Sequence, residues 1–182
     1  MTVFFTSDHH FGHKNNLHLG KGRSFLTLEE MDTEMIDRWN SVVADGDMVY
    51  HIGDFSYKCH PRRVEEILAQ LKGRKRLIVG NHDKNPTKRS KHWEHVWEYH
   101  ELTIGKQRIV LGHYPMREWN GLFHGSWMLH GHCHGNLADD PYLKSFDVGV
   151  DCHDFTPITF EQVTEIMSHK LEVDDRRKLD ME

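Results

Sequence analysis

The sequence predicts an α/β fold in one domain, with a parallel sheet in its first half and a largely antiparallel arrangement in its second. Three observations predict it. Apolar, β-branched strand segments alternate with amphipathic helices up to about residue 83. The first two strands each lead through a polar, glycine-containing stretch into a helix rather than a hairpin, which gives the order strand–helix–strand–helix–strand. Beyond residue 90 the segments shorten, and Gly105-Lys106 separates two of them at hairpin spacing.

Taken in order, Thr2–Thr6 is β-branched and aromatic and reads as a strand ending at Ser7-Asp8. A polar stretch, His9 to Arg23, follows. Thr27-Leu28-Glu29-Glu30 then forms a capping box, with Glu30 reaching back, and Leu28, Met31, Met35, Ile36, Trp39, Val42 and Val43 recur at helical spacing behind it. Asp45-Gly46-Asp47 is a turn before a second strand, Met48–Ile52, which ends at Gly53-Asp54. Pro61 suits the first position of the next helix, whose apolar face is Val64, Ile67, Leu68 and Leu71 and which Gly73 is placed to end. Arg76–Val79 is the third strand, running into Gly80-Asn81-His82-Asp83. Val96–Ile104 and Gln107–Leu111 read as a hairpin, Trp127–Leu129 and Phe146–Val150 as further strands. A last helix starts at a second capping box, Thr159–Gln162, and runs to about Lys170. The domain therefore spans 1–170, and the charged tail 171–182 is expected to fray.

Composition narrows the function. A chain of 182 residues with 37% apolar and 28% charged side chains suits one soluble domain. No apolar run reaches the ~20 residues that span a bilayer, and the N-terminus lacks the pattern of a signal peptide. Three scattered cysteines suggest reduced thiols and a cytoplasmic setting. A net charge of −5 disfavours a long nucleic acid as partner and favours a small phosphoester or nucleotide. Histidine, at 17 of 182, is the unusual figure, so its placement matters most.

Five strand ends finish in metal-ligating residue types: Asp8-His9-His10, Gly53-Asp54, Gly80-Asn81-His82-Asp83, Gly112-His113 and Gly131-His132-Cys133-His134. Functional groups gather beyond the carboxyl ends of strands in open α/β sheets, so these five converge on one cleft. If Asp8-x-His10 and His132-x-His134 are extended, alternate side chains share a face and each pair points into the same pocket. Carboxylate, amide oxygen and imidazole together form a mixed oxygen and nitrogen set suited to Mn²⁺, Fe, Ni or Zn²⁺.

In this order the motifs resemble the calcineurin-like metallophosphoesterase superfamily over Asp8 to His134, and the opening Asp8–Asn16 looks like its small bacterial and phage branch. The resemblance implies a four-layered α/β/β/α sandwich of two mixed sheets flanked by helices. It implies two divalent metal ions, one held by Asp8, His10, Asp54 and His134, the other by Asp54, Asn81, His113 and His132, with Asp54 bridging. It implies phosphoester hydrolysis by a hydroxide shared between the metals, with His82 protonating the leaving oxygen and Asp83 orienting His82. Phosphodiesters, including cyclic nucleotides, are the expected substrates; monoesters or short nucleic acids are the alternative. The sequence also departs from the family's protein phosphatases, since Phe55-Ser56-Tyr57-Lys58 follows Gly53-Asp54 where they carry Asp-Arg-Gly.

Rival readings carry their own expectations. A non-catalytic scaffold of the same fold would have lost ligands, and a histidine-rich storage protein would cluster them locally. His13, Asn16 and Arg117 are candidate substrate contacts, each balanced by a reading as an ordinary loop or surface residue; His9 stands likewise between pocket and polar loop. Asp147, Asp151, His153 and Asp154 are expected to support the site from behind the ligands. Lys72–Arg76 reads as a helix-end cation cluster before a nucleic-acid patch. Trp119 is expected to pack, with stacking on a base as the alternative.

Overall fold

The computed structural model describes residues 1–17 and 23–171; the tail expected to fray lies, past Leu171, outside them. The first sheet runs, edge to edge, through Trp93–Trp97, Arg74–Ile78, Met48–His51, Val3–Thr6 and Ile158–Thr159. Its strands β1 (Val3–Thr6), β2 (Met48–His51), β3 (Arg74–Ile78) and β4 (Trp93–Trp97) are parallel, and β9 (Ile158–Thr159) runs antiparallel to β1. The second sheet, β5-β6-β7-β8, is built from Tyr99–Ile104, Gln107–Gly112, Trp127–His130 and Ser145–Asp147.

Helices α1 (Leu28–Val42) and α2 (Pro61–Gln70) cover the outer face of the first sheet, burying Met31, Met35, Trp39, Val64, Ile67 and Leu68 with Phe4, Val49 and Leu77. Between the sheets lies a second core, in which Phe5, Tyr50, Ile52 and Ile78 face Ile109, Leu111 and Leu129. Helix α3 (Phe160–Ser168) adds Val163 and Met167 to this core. The outer face of the second sheet carries Val110 and Met128, covered by Trp119 and Leu122. Two mixed sheets flanked by helices thus make the expected sandwich, although this last covering layer is a loop with a 3-10 turn (Leu122–His124). Among the described residues no helix is long and apolar enough to cross a membrane.

Local chemistry accounts for the helix starts. Thr27 Oγ1 accepts the Glu30 N–H at 3.1 Å, but Glu30 reaches past the cap to the Leu26 N–H at 2.8 Å. At Thr159 the capping box closes in both directions. Lys75, in the basic run 72–76, is buried and donates to the carbonyls of Leu71 and Gly73, while Arg74 and Arg76 pair with Glu94. That run ends a helix and begins a strand.

Two expectations are corrected. The segment Val96–Ile104 is not one strand: the chain bends at Glu98, leaving β4 in the first sheet and starting β5 in the second. The second half is also not largely antiparallel: the β5–β6 hairpin and the short β9–β1 pair are antiparallel, while β3–β4, β6–β7 and β7–β8 are parallel. The connections 113–126 and 131–144 are long enough to return the chain to the same end of the sheet, as parallel pairing requires. That return brings the ends of β6 and β7 to the edge where β1, β2 and β3 also end.

Candidate metal centre

The five strand-end loops meet at that edge and are laced together through the backbone. Asp8 N–H donates to Gly53 O (3.0 Å), His10 N–H to Asp54 O (3.0 Å) and Phe11 N–H to Phe55 O (2.9 Å). On the other sheet, Gly131 N–H donates to His113 O (3.0 Å). Glycines permit the approach. A Cβ at Gly80 would collide with the Asp54 carboxylate, and one at Gly131 with the Asp8 carboxylate and Ser7 Oγ.

The side chains form two groups. Ligand atoms of Asp8, His10 and His134 lie within 4.8 Å of one another, and so do those of Asp54, His113 and His132. Asp54 Oδ2 stands between them, 3.6 Å from His10 Nε2 and 3.4 Å from His113 Nε2. Its other oxygen, Oδ1, accepts the His82 N–H at 2.8 Å, so a single oxygen faces both groups. Asn81 Oδ1 adjoins the second group, 3.0 Å from His113 Nε2 and 3.1 Å from His132 Nδ1. The structure therefore brings all seven residues together.

Their backbone is not extended. Asp8 (φ 61°), His10 (54°), Asp54 (55°), His132 (69°) and His134 (50°) all occupy the left-handed region. Asp8 and His10, like His132 and His134, converge because both members of each pair turn left-handed. The extended alternation expected from the one-residue spacing is corrected accordingly.

Lone pairs converge in both groups. His113 Nδ1 lies 2.9 Å from Ile52 O, which can only accept, so the proton sits on Nδ1 and the Nε2 lone pair faces Asp54 and Asn81 oxygens. His134 Nδ1 donates to Asp151 Oδ2 at 2.6 Å, which turns its Nε2 lone pair toward His10 Nε2, 3.3 Å away, and Asp8 Oδ1 at 4.0 Å. Asp8 Oδ1 is buried without a hydrogen-bond partner. Clustered acceptors of this kind need a cation or a proton, and the donor set fits divalent metals that take oxygen and nitrogen.

The titration behaviour reflects the same crowding. Burial raises the Asp8 pKa to about 7, against the pull of His113 and His134. Burial opposes a charge on His113, but Asp54 and Asp8 outweigh it and raise its pKa to about 9. Burial also works against ionised Asp54, yet the His113 contact and the His82 N–H hold it well below the usual carboxylate range. His10, desolvated and near other imidazoles, falls to about 2.

The remaining candidates divide. His82 is partly exposed, with Nε2 3.9 Å from Asp54 Oδ2 and its ring edge-on to Tyr57 at 4.8 Å. Asp83 does not orient His82: its carboxylate accepts the N–H groups of Asp54, Phe55 and Gly80, each at 2.9 Å, and so ties two ligand loops together. His13 packs on Tyr57 at 3.9 Å, within 5.5 Å of the His10 ring. Asn16 lies in the 3-10 turn Lys14–Asn16. Arg117 is exposed on the bend after β6, with no contact to the seven residues among the described interactions. His9 is fully buried against Phe11 and Trp39 and hydrogen-bonded to His51 at 2.9 Å, so it lines no pocket. Trp119 packs, its Nε1 donating to Ser126. Of the residues behind the ligands, Asp151 holds His134, Asp147 accepts from the Gly135 and Gly149 N–H groups, and Asp154 is exposed and pairs with Arg38.

Sequence reasoning missed Arg23, Tyr57 and Tyr114. Arg23 is a buried partner of Asp151, and Tyr114 sits against the His113 and His132 rings. Each stands alone in an irregular loop, where no periodicity or spacing marks it.

This fold, with ligand-rich loops at one sheet edge, defines a binuclear-type phosphoesterase scaffold. The model of the calcineurin-like phosphoesterase superfamily domain matches residues 1–141, and the chain belongs to that superfamily. It is 30% identical over 171 residues to an uncharacterized protein of Methanocaldococcus jannaschii, covering 91% of this chain and 90% of the relative. It is 28% identical over 181 residues to the gene 66 protein of Mycobacterium phage L5, covering 82% and 86%. A crystal structure of a protein of unknown function from Aquifex aeolicus shares the fold, with TM-score 0.70 and 21% identity over 91% of this chain and 98% of that one.

Proposed function

We propose that this protein hydrolyses phosphodiesters, cyclic nucleotides among them, using two divalent cations. The observation that carries the reading is Asp54 Oδ2, placed within 3.6 Å of one candidate ligand group and 3.4 Å of the other. Asp8, His10 and His134 would hold one cation with Asp54; Asn81, His113 and His132 would hold the second with it. When bound, such a pair supplies an activated water near neutral pH and offsets charge on the phosphoryl oxygens. Mn²⁺ suits this mixed donor set.

The chain's own residues do the rest. His82 Nε2 faces the same cleft as Asp54 Oδ2 and delivers a proton to the departing oxygen. Because the His82 N–H also holds Asp54 Oδ1, ligand and acid keep a fixed relation. The chain's compactness favours a diester, because 182 residues leave few insertions to build a closed monoester pocket. Arg23, the guanidinium under the ligand loops, is buried and committed to Asp151 and to backbone carbonyls, so it makes no substrate contact. The thiols of Cys59 and Cys133, free of any disulfide, suit a reducing cytoplasm.

The test is a panel of Mn²⁺, Fe²⁺, Ni²⁺, Zn²⁺ and Mg²⁺ against cyclic nucleotides, aryl diesters, aryl monoesters and short oligonucleotides. The expected result is Mn²⁺-dependent turnover with diesters ahead of monoesters. Monoesters ahead would overturn the substrate reading. No turnover with any metal would leave a scaffold of the same fold.

A further inference from the structure

Arg23 belongs to no motif, yet its guanidinium is fully buried and every one of its five N–H groups meets an acceptor. Nε donates to Asp151 Oδ1 at 2.6 Å and Nη2 to Asp151 Oδ2 at 3.0 Å. Nη2 donates also to Asp8 O at 2.6 Å, and Nη1 to His9 O at 3.1 Å and Met31 Sδ at 3.9 Å. Asp151 Oδ2 accepts in turn from His134 Nδ1 at 2.6 Å.

We propose that Arg23, acting through Asp151 and the Asp8-His9 carbonyls, is a positioning residue for the first cation site alone. The proposal rests on the two-metal reading above. Its first support is geometric. Asp8 and His10 are both left-handed, and the carbonyls of Asp8 and His9 lie within this unfavourable stretch of backbone. One rigid fork grips both carbonyls, which a flexible ammonium with three donors cannot reproduce alongside a bidentate carboxylate.

The second support is the histidine. The Asp151 carboxylate accepts from His134 Nδ1 and so leaves Nε2 free to ligate; Arg23, bonded to both oxygens, holds that carboxylate in register. The third is asymmetry. His113 is fixed by Ile52 O, and Gly131, which precedes His132, by His113 O. Among the described residues neither Arg23 nor Asp151 touches Asn81, His113 or His132. Two bonds do join the groups: the His132 N–H reaches the Asp8 side chain at Oδ2 whereas Arg23 grips the Asp8 carbonyl, and the His10 N–H reaches the carbonyl of Asp54, the residue the two sites would share.

Removing Arg23 alone would strand a buried carboxylate, so the deciding variant replaces both partners, Arg23→Met with Asp151→Leu. Mn²⁺ affinity of the metal-free protein is measured by calorimetric titration in two backgrounds, Asn81→Ala, which spares the first site, and His10→Ala, which spares the second. The expected result is a loss of about 10–100-fold in the first background and a change below about twofold in the second. Electron paramagnetic resonance on the otherwise wild-type chain should change from a spin-coupled Mn²⁺ pair to an isolated ion. Equal losses in both backgrounds, or none in either, would overturn the proposal. Arg23→Lys should shift the first background in the same direction by less, and it decides the question if the double variant does not fold. A wild-type chain that binds no Mn²⁺ would instead overturn the two-metal reading.

Discussion

Asp8, His10, Asp54, His132 and His134 each carry a side chain in the left-handed region, where a non-glycine residue gives up about 1 kcal/mol or more. Five such residues around one cleft mean that the surrounding packing enforces the geometry. The residue types at these positions were legible in the sequence, because carboxylates and imidazoles repeated at strand ends form a chemical pattern. Their conformation was not, since Asp and His tolerate a left-handed turn without the glycine that would have announced it. Glycine signalled something else: Gly80 and Gly131 clear space for the carboxylates of Asp54 and Asp8. His82 allows a test of chemistry at single-residue resolution. It holds Asp54 by its backbone, so His82→Ala keeps that bond and removes only the imidazole. The variant should slow diesters with alkoxide-like leaving groups by about 10²–10⁴-fold and diesters with nitrophenolate leaving groups far less. Equal losses on the two substrates would show that His82 is not the acid.

At the scale of elements, the loop after β3 is bound to the loop after β2 by Asp83, whose two oxygens take three backbone N–H groups. This role could not be read from the sequence, where Asp83 follows His82 and invites pairing with it. The hydrogen bonds run instead between loops separated by a helix and a strand. The same limit explains the second sheet: short strands were legible, but parallel return depends on how the connections 113–126 and 131–144 cross, and those segments lack helical periodicity. Helix starts were more legible because capping is local, although Glu30 found Leu26 instead of Thr27. Asp83→Ala leaves three N–H groups without their acceptor, and each such loss costs about 1–3 kcal/mol when water cannot reach the group. Urea denaturation should therefore show a loss of about 3 kcal/mol or more. Asp154→Ala, which breaks an exposed, solvent-screened pair with Arg38, should cost far less. A loss for Asp83→Ala no larger than that for Asp154→Ala would refute the loop-pinning role.

For the whole molecule, proton and cation compete for one edge of the sandwich. In the metal-free protein His113 is raised from 6.5 to about 9 and His134 is also raised, while burial raises Asp8 to about 7. For each group the folded chain retains a proton that the unfolded chain has released. Between pH 6.5 and 9 the folded state therefore binds more protons, and the stability from these groups falls as pH rises. Asp54 and His10 shift the other way, but their contributions change only below their unfolded values of 3.8 and 6.5 and are constant across this window. A bound cation takes the place of those protons, so its affinity rises as they become easier to displace. At a free Mn²⁺ concentration about 100 times its dissociation constant, one site adds about 2.7 kcal/mol. Thermal unfolding should consequently show a gap between Mn²⁺-loaded and chelated protein that widens from pH 6.5 to 8.5, chiefly because the chelated form weakens. In a chain with Asn81→Ala and His113→Phe the gap should shrink and lose most of its pH dependence. A gap that stays constant or narrows with pH in the wild-type chain would mean that cations do not replace protons at this edge.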